Sequence, residues 1–313
     1  MTTVDKLSDL QKQYMDEAVF AKDREQIHES WFNETTTDFW RHKRMYETIR
    51  PLASYASDAS WLTVGDGRFG LDSIRLRKLF QLKSVFPTDI GENMLKVSKE
   101  RGLIENYGIE NAEQLSFADC SYDIVFCKEA FHHFPRPYQA LYEMVRVCKK
   151  AVVMIEPAER LELNGVKTKP YLISAARLLL SKIRRNDYKP YVPSVLGLNH
   201  SFEEAGNYLY AVSAREMEKL VHGMDLGGLA WKGFNDAYEK GCEFEEAAPG
   251  NEIFDRLKAA ITHGDRLCRT YPKYHQPNMI TVIIFKQQPE NELVEQLLSA
   301  GYQLPPIQKN PHV

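Results

Sequence analysis

The chain has 313 residues, of which 43% are hydrophobic and 27% are charged, and its formal net charge at pH 7 is −3. This length is sufficient for one enlarged α/β domain, or for a domain that carries a sizeable cap. The slightly acidic balance argues against nucleic acid as a partner, because nucleic-acid-binding domains carry a basic footprint. No stretch approaches the roughly 20 apolar residues that span a bilayer, so we expect no transmembrane segment.

The five cysteines are scattered along the chain and show neither a pairing pattern nor metal-ligand spacing. An odd, scattered set of this kind is typical of reduced thiols in the cytosol. Residues 1–9 are polar and acidic and lack the apolar centre of a signal peptide. We therefore expect a cytoplasmic protein without a metal site.

The first 52 residues are predicted to be helical, and they become rich in aromatic side chains from Trp31 onward. Residues 35–38 offer an N-cap, and apolar residues then recur at helical spacing up to Pro51. The pattern is consistent with a helix that packs on the edge of a sheet and with a helix that covers a bound ligand, and the two roles are compatible. We assign residues 1–52 to an N-terminal helical lid.

Short apolar segments alternate with helical segments between residues 61 and 155. Strands are predicted at residues 61–64, 84–88, just before 111, 122–127 and 151–155, and helices at residues 71–82, 92–101 and 138–147. Short strands that alternate with helices of this length indicate right-handed crossovers and a parallel sheet.

The alternation breaks after Pro157 and resumes at Ser213. The intervening insertion includes an apolar helix predicted at residues 170–185 and a polar cluster at residues 199–201. Ser213 and Glu216 are spaced as a capping box that opens the next helix. Beyond it, strands are predicted at residues 229–234 and 279–285, and helices at residues 250–270 and 291–300.

Gly65 and Gly67 form a turn directly after the first strand, and Asp89 ends the second strand. Glycines suit such a turn because a Cβ would keep the backbone from closing around a ligand. The helix that follows points its first amide groups at whatever the turn holds. An acidic residue about 20 positions further on is placed to accept hydrogen bonds from ribose hydroxyls. The three residues therefore predict a ligand that contains a nucleoside.

The order of elements, five βα units followed by a late helix and two final strands, resembles the class I S-adenosylmethionine-dependent methyltransferase superfamily across residues 53–285. The resemblance implies a Rossmann-like, doubly wound α/β sheet of seven strands, mostly parallel with the last antiparallel, and S-adenosylmethionine as cofactor. It divides the chain after the lid into a cofactor-binding core at residues 53–156, an acceptor insertion at 157–212, the remainder of the core with a helical insertion at 213–288, and a C-terminal helix and tail at 289–313.

The glycine turn corresponds to the family's turn under the methionine part of the cofactor, formed here by Gly65, Asp66 and Gly67. Asp89 corresponds to the family's ribose-binding acid. Thr63 departs from the pattern, since the family usually has an acidic residue two positions before the first glycine. Asp66 is a candidate for supplying the missing negative charge.

Further cofactor contacts are implied on the adenine side. Ile90 flanks the ring, the Asn111 side chain meets the adenine amino group, and the Ala112 backbone amide meets a ring nitrogen. Residues 111–123 match the family segment between strands three and four, and this match together with the missing GxGxxG frame argues against a dehydrogenase. Lys128 begins the loop after strand four, which in the family borders the transferred methyl group.

His132 and His133 follow strand four, and Glu156 ends strand five, which we expect to lie beside strand four at about 5 Å. Methyl transfer to a hydroxyl requires an aligned acceptor and a base, and a histidine beside a carboxylate is such a base. Some sugar O-methyltransferases of this superfamily use a histidine pair with an acid after strand five. We therefore assign His133, His132 and Glu156 to catalysis; the alternative is that the pair only shapes the cofactor site. Glu129 and His200 are weaker candidates.

Basic residues make the insertion locally positive in a slightly acidic chain: Arg177, Lys182, Arg184, Arg185 and Lys189. This charge would attract a phosphate-bearing acceptor or rest on an anionic membrane surface. A solvated helix face or a contact between copies is the simpler explanation.

Together these residues predict an S-adenosylmethionine-dependent methyltransferase that methylates a hydroxyl of a small molecule, such as a sugar or a polysaccharide precursor. The departure at Thr63 motivates an alternative, which is a protein that binds the cofactor without turnover. For the base, we predict that His133→Ala lowers turnover much more than cofactor affinity.

Overall fold

The computed structural model describes residues 3–18, 25–159 and 207–312. The helix predicted at 170–185, the polar cluster at 199–201 and the basic residues between 177 and 189 lie outside the described residues. The described residues form one mixed sheet with helices packed on both of its faces.

The sheet is built from strands close to those predicted. Their bounds are β1 Ser60–Val64, β2 Ser84–Asp89, β3 Gly108–Ile109, β4 Tyr122–Lys128, β5 Cys148–Pro157, β6 Gly228–Phe234 and β7 Met279–Phe285. The spatial order is β3-β2-β1-β4-β5-β7-β6. Strands β1 to β5 pair in parallel, whereas β7 is antiparallel to both of its neighbours, β5 and β6. The predicted Rossmann-like sheet of seven strands, mostly parallel with the last antiparallel, is confirmed.

Helices precede the sheet and connect its strands. Their bounds are α1 Thr3–Ala18, α2 Glu25–Ser30, α3 Thr37–Glu47, α4 Arg50–Tyr55, α5 Leu71–Phe80, α6 Asn93–Glu100, a 3-10 turn at Phe131–His133, α7 Pro137–Val147, α8 Ala214–Gly223, α9 Glu252–Thr270 and α10 Asn291–Ser299. Pro51 lies in the first turn of α4, where its missing N–H leaves no helical hydrogen bond unmade. Within the described ranges, no helix is both long and apolar enough to cross a membrane.

Alternating side chains of the strands pack into two apolar layers, one on each face of the sheet. In β1, Trp61 belongs to the layer that contains α3 and α4, whereas Leu62 and Val64 belong to the layer that contains α7. Strand β7 is buried along its whole length, because both of its edges are paired and both of its faces are covered.

The spatial order of the strands determines where a ligand can bind. The strand order reverses between β1 and β4. The connection that follows β1 and the connection that follows β4 therefore cross opposite faces of the sheet. Open α/β sheets bind ligands in the crevice that this reversal leaves at the carboxyl ends of the strands. The carboxyl ends of β1 and β4 are therefore the expected position of the site.

The predicted capping box at the start of α8 is wrong. Ser213 is the N-cap residue and has an extended backbone, but its side chain makes no capping hydrogen bond. Glu216 accepts a hydrogen bond from the Tyr138 hydroxyl of α7 instead. The spacing of Ser213 and Glu216 has the form of a capping box, but the Glu216 carboxylate is bound to a tyrosine of a neighbouring helix.

Candidate cofactor and active site

A cavity of about 310 Å³ extends across the carboxyl ends of β2, β1 and β4. Asp89 and Asn111 line it on the β2 side, whereas Glu129 lines it on the β4 side. Helices α1 and α3 both contribute side chains to its walls. A cavity of this volume lies within the range of small-molecule sites.

The turn after β1 approaches its surroundings so closely that only glycine fits. A Cβ on Gly65 would lie 2.4 Å from the Ala130 Cβ, and Gly65 has a left-handed φ of 77°. A Cβ on Gly67 would lie 2.8 Å from Asp89 Oδ2 and 2.6 Å from Met15 Cε. The turn therefore presents bare backbone to the cavity, between the loop after β4 and the acid at the end of β2.

The Asp66 carboxylate supports the turn internally and is not an open charge that replaces the acid missing at Thr63. Its Oδ1 accepts a hydrogen bond from the Asp72 amide at 2.9 Å, and its Oδ2 accepts one from the Ser73 amide at 2.9 Å. The Thr63 hydroxyl donates to the same Oδ2 at 2.8 Å. Asp66 thus caps the first turn of α5. Burial and the nearby Asp72 carboxylate raise the pKa of Asp66 well above its usual range.

Asp89 lies at the end of β2, as predicted, and is buried beside the cavity. Its Oδ1 accepts a hydrogen bond from the Gly91 amide at 2.8 Å. Burial raises the pKa of Asp89 to about 6, although the Gly91 hydrogen bond acts in the opposite direction. At pH 7 the carboxylate is therefore ionised and able to accept hydrogen bonds from a ribose.

The residues assigned to the adenine lie on the same side of the cavity as Asp89. Ile90, Asn111 and Ala112 all contribute to this wall. Asn111 Oδ1 accepts a hydrogen bond from the Glu113 amide at 3.0 Å, and this local turn orients the side chain. The structure therefore brings together the predicted adenosine contacts, although they come from different loops.

The β4 side of the cavity carries a cluster of charged side chains that the sequence only partly indicated. Lys128 Nζ lies 2.8 Å from Glu129 Oε2 and 3.8 Å from Asp72 Oδ1. His42 of α3 reaches the same cluster, with its Nδ1 3.4 Å from Glu129 Oε2. Lys128 lines the cavity as expected, but its ammonium group is engaged by carboxylates.

The three residues assigned to catalysis come together, but the two histidines are not equivalent. Glu156 is fully buried, and its Oε2 lies 2.5 Å from His132 Nδ1. Its Oε1 accepts hydrogen bonds from the Ala130 and Phe131 amides, both at 3.0 Å. His133 lies beside His132, with ring centroids 3.9 Å apart, and it is His133 that lines the cavity. The carboxylate therefore orients His132, whereas His133 forms part of the wall.

Helix α1 lies over the cavity through contacts that sequence reasoning missed. Met15 packs on Gly67. Asp16 Oδ1 accepts hydrogen bonds from the amides of Glu92 at 2.9 Å and Asn93 at 3.3 Å, so it caps the start of α6. These partners lie more than 70 residues away in the chain, and no local pattern points to them.

Comparison with known proteins gives one family and a set of similar folds. The sequence profile of a family described as "Methyltransferase domain" matches residues 62–155, the stretch from β1 to β5. No curated protein matches the sequence.

Two solved structures illustrate the similarity in fold. Phosphoethanolamine N-methyltransferase 2 from Haemonchus contortus, in complex with phosphomonomethylethanolamine and S-adenosylhomocysteine, is 14% identical over 92% of this chain and 61% of that chain, with a TM-score of 0.50. Magnesium protoporphyrin IX methyltransferase from Synechocystis PCC 6803, with bound S-adenosylhomocysteine, is 10% identical over 89% of this chain and 99% of that chain, with a TM-score of 0.49. At these identities the similarity concerns the fold alone.

The fold and the cavity define an α/β domain with a cavity of small-molecule size at the carboxyl ends of its parallel strands. The profile match adds the chemistry of the family. Residues 62–155 therefore form a methyltransferase domain, and S-adenosylmethionine is its cofactor.

The residues of the cavity fit this cofactor. The bare backbone at Gly65 and Gly67 leaves room for a ligand over the turn, and the ionised Asp89 suits a ribose. On the β4 side, the buried His42 Nδ1 has no hydrogen-bond partner among the described residues. A polar group of the ligand would satisfy this nitrogen.

Proposed function

We propose that this enzyme methylates a hydroxyl group of a small molecule, with a sugar or a polysaccharide precursor as the acceptor class. The observation that supports the proposal is the contact between the buried Glu156 carboxylate and His132 Nδ1 at 2.5 Å. A hydroxyl must lose its proton as its oxygen attacks, so it requires a base. A neutral amine attacks through its own lone pair, so a hydroxyl depends on an imidazole held by a buried carboxylate more than a neutral amine does.

Hydrogen bonding selects the imidazole nitrogen that acts. With the Glu156 carboxylate as the hydrogen-bond acceptor, His132 Nδ1 carries the proton and Nε2 carries the lone pair. Glu156 also accepts two backbone amides, which hold its position, and its charge stabilises the imidazolium that forms when Nε2 takes a proton. We therefore assign His132 as the base and Glu156 as its orienting partner.

The loop that carries His132 is held from two sides. The His133 carbonyl oxygen accepts a hydrogen bond from Gln11 Nε2 of α1 and another from Asn207 Nδ2 at 2.7 Å. His133 itself forms part of the cavity wall, so we assign it a role in shaping the site. The loop thereby joins the N-terminal helices to the segment that follows the insertion.

The cofactor contacts in this proposal follow the order of the strands. The adenosine half lies against Asp89, Ile90, Asn111 and Ala112, and the methionine half lies over residues 65–67. When bound, S-adenosylmethionine supplies the electrophilic methyl group and a thioether leaving group. The chain's own residues hold the acceptor in line with that group and remove its proton.

Binding without turnover is the alternative that Thr63 motivated. The Thr63 hydroxyl donates to Asp66, and Asp66 caps α5, so the turn has its support without an acid at position 63. The departure therefore does not count against catalysis. A phosphate-bearing acceptor, contact with an anionic membrane and a cytoplasmic location stay predictions from the sequence.

Transfer of labelled methyl groups from S-adenosylmethionine tests the acceptor class. A panel of sugars, sugar phosphates and matched amino sugars separates ether from amine products. We expect labelled ether from at least one hydroxyl acceptor and no labelled amine. Labelled amine as the main product would reverse the assignment.

The role of His132 is tested by His132→Gln, which removes the basic nitrogen. Turnover should fall by about 100- to 10,000-fold, the usual contribution of a general base, while S-adenosylhomocysteine affinity stays within about threefold of the wild type. His133→Ala should retain more turnover than His132→Gln. His263→Gln, at an exposed position of α9, is the matched control. Turnover of His132→Gln within about threefold of the wild type would remove this base from the mechanism.

A further inference from the structure

The β4 side of the cavity contains an acidic side chain that the proposed proton transfer does not use. Glu129 directly follows β4 and has a left-handed backbone with a φ of 49°, a conformation that is uncommon in residues other than glycine. It lines the cavity, and its Oε2 lies 2.8 Å from Lys128 Nζ. Burial acts to raise its pKa, but the electrostatic interactions with Lys128, His42 and Arg68, together with the hydrogen bond from Lys128, outweigh burial and hold the pKa of Glu129 well below its usual range. The carboxylate is therefore ionised.

Arg68 brings a positive charge to the same cavity. It directly follows Gly67 in the turn, lines the cavity and lies over the Trp31 ring, with its guanidinium carbon 5.0 Å from the ring centroid. In the part of the chain that the structure describes, no carboxylate lies within 4.0 Å of its guanidinium nitrogens. By contrast, Lys128 is paired with Glu129, and Arg75 donates to the Trp31 carbonyl oxygen at 2.9 Å. Arg68 is thus available to an anionic ligand group.

A buried imidazole nitrogen without a hydrogen-bond partner lies beside Glu129. His42 is 4% exposed, and its Nδ1 is 3.4 Å from Glu129 Oε2 but makes no hydrogen bond with any described residue. Burial, reinforced by the charge of Lys128, holds the pKa of His42 well below its usual range, so the imidazole is neutral. A buried nitrogen in this state is costly, and a polar group of a ligand would pair with it.

The sheet order indicates which part of the cofactor reaches these residues. β2 and β4 flank β1, so a ligand with its ribose at Asp89 crosses the turn after β1 and extends toward β4. The part of S-adenosylmethionine beyond the sulfur in this direction is its amino-acid end, a zwitterion. A zwitterion requires one binding group of each sign, and Glu129 and Arg68 provide such a pair.

We propose that Glu129 binds the ammonium group and Arg68 the carboxylate of the amino-acid end of S-adenosylmethionine. The inference rests on the proposed function, since it takes S-adenosylmethionine as the ligand. Glu129 then supplies the charge that the family pattern places at the position of Thr63. Asp66 cannot supply it, because both of its oxygens are bound to Thr63 and to the amides of α5.

Two ligands distinguish contacts to the amino-acid end of the cofactor from contacts to its adenosine. S-adenosylhomocysteine carries the amino-acid end, whereas 5′-methylthioadenosine keeps the adenosine and the thioether but lacks that end. In calorimetric titrations of the full chain, Glu129→Gln and Arg68→Gln should each lower S-adenosylhomocysteine affinity by about 10- to 100-fold, the usual effect of losing a charge-assisted hydrogen bond. Affinity for 5′-methylthioadenosine should stay within about twofold of the wild type.

Asp89→Asn is the matched control, since both ligands contain the ribose and both affinities should fall by the same factor. An unchanged ratio of the two affinities in Glu129→Gln and Arg68→Gln would overturn the assignment. In Glu129→Gln, an equal loss of affinity for both ligands would indicate a distorted loop and would overturn the assignment of Glu129. Arg68 is exposed, so Arg68→Gln tests the inference without distorting the loop. A wild-type chain that binds neither ligand would contradict the proposed function itself.

Discussion

The close packing of Gly65 against Ala130 predicts that position 65 requires glycine, and a variant of Ala130 supplies the control. In Gly65→Ala the new Cβ would lie 2.4 Å from the Ala130 Cβ, well inside van der Waals contact, at a φ of 77°. The left-handed backbone costs alanine about 1–2 kcal/mol, and overpacking costs a further 1–3 kcal/mol or so. We therefore expect the free energy of unfolding to fall by about 2–5 kcal/mol.

Ala130→Gly separates the two contributions. Without the Ala130 Cβ, the nearest neighbour of the new methyl group is Phe134 Cζ at 3.5 Å, which is an ordinary contact. The double variant should therefore be about 1–3 kcal/mol more stable than the sum of the single effects predicts, while the backbone cost remains. Urea-induced unfolding measures these free energies, and an unchanged m-value supports a comparison between the variants.

The coupling expected between Gly65→Ala and Ala130→Gly can be contradicted by experiment. A coupling energy below about 0.5 kcal/mol is the value for independent sites and would contradict the contact between the turn and the loop after β4. Wild-type stability of Gly65→Ala would contradict the left-handed geometry as well. S-adenosylhomocysteine titration of the same variants should show affinity lost in Gly65→Ala and partly recovered in the double variant.

Three further predictions concern pH and the N-terminal helix. Because burial raises the pKa of Asp89 to about 6, the carboxylate that we assign to the ribose becomes protonated below that pH. S-adenosylhomocysteine affinity should fall about tenfold between pH 7 and pH 5 in the wild type, and calorimetry should find no such fall in Asp89→Asn. The same raised pKa makes the unliganded protein less stable as the pH rises from 3.8 to about 6, because the native state releases its proton later than the unfolded chain. Asp16→Ala removes the cap from α6, and the lost hydrogen bonds stabilise the closed position of α1 by about 1 kcal/mol. Dissociation of S-adenosylhomocysteine should therefore be about fivefold faster. An unchanged dissociation rate in stopped-flow measurements would argue against α1 as a lid.

The fold was predictable because its elements are marked by local patterns. Strand β7 is recognisable as an unbroken apolar and β-branched run, and its burial on both faces explains that composition. The length of β5 was less predictable: residues 151–155 carry the apolar signal, but the strand spans Cys148–Pro157. Its ends are extended because β4 and β7 offer hydrogen-bonding partners there, and such partners leave no mark on the sequence of β5.

The positions of the residues assigned to the cofactor were predictable to a similar extent. Gly65, Asp89 and Asn111 follow strands that meet at one edge of the sheet, so their positions in the chain already imply that they are close. The division of roles between His132 and His133 was not predictable. Neighbouring residues in a 3-10 turn point about 120° apart, so the packing of the turn decides which of them meets Glu156.

By itself, the sequence determined the order of the elements, the sheet and the edge of the sheet at which the cavity lies. These depend on apolar periodicity and on turn residues, which are local properties of the chain. Only the tertiary structure decided that Asp66 turns inward to α5, that His42 of α3 lies beside Glu129, and that Asp16 caps α6. Such contacts join residues that no local spacing relates, and their geometry depends on how the helices pack over the strand ends.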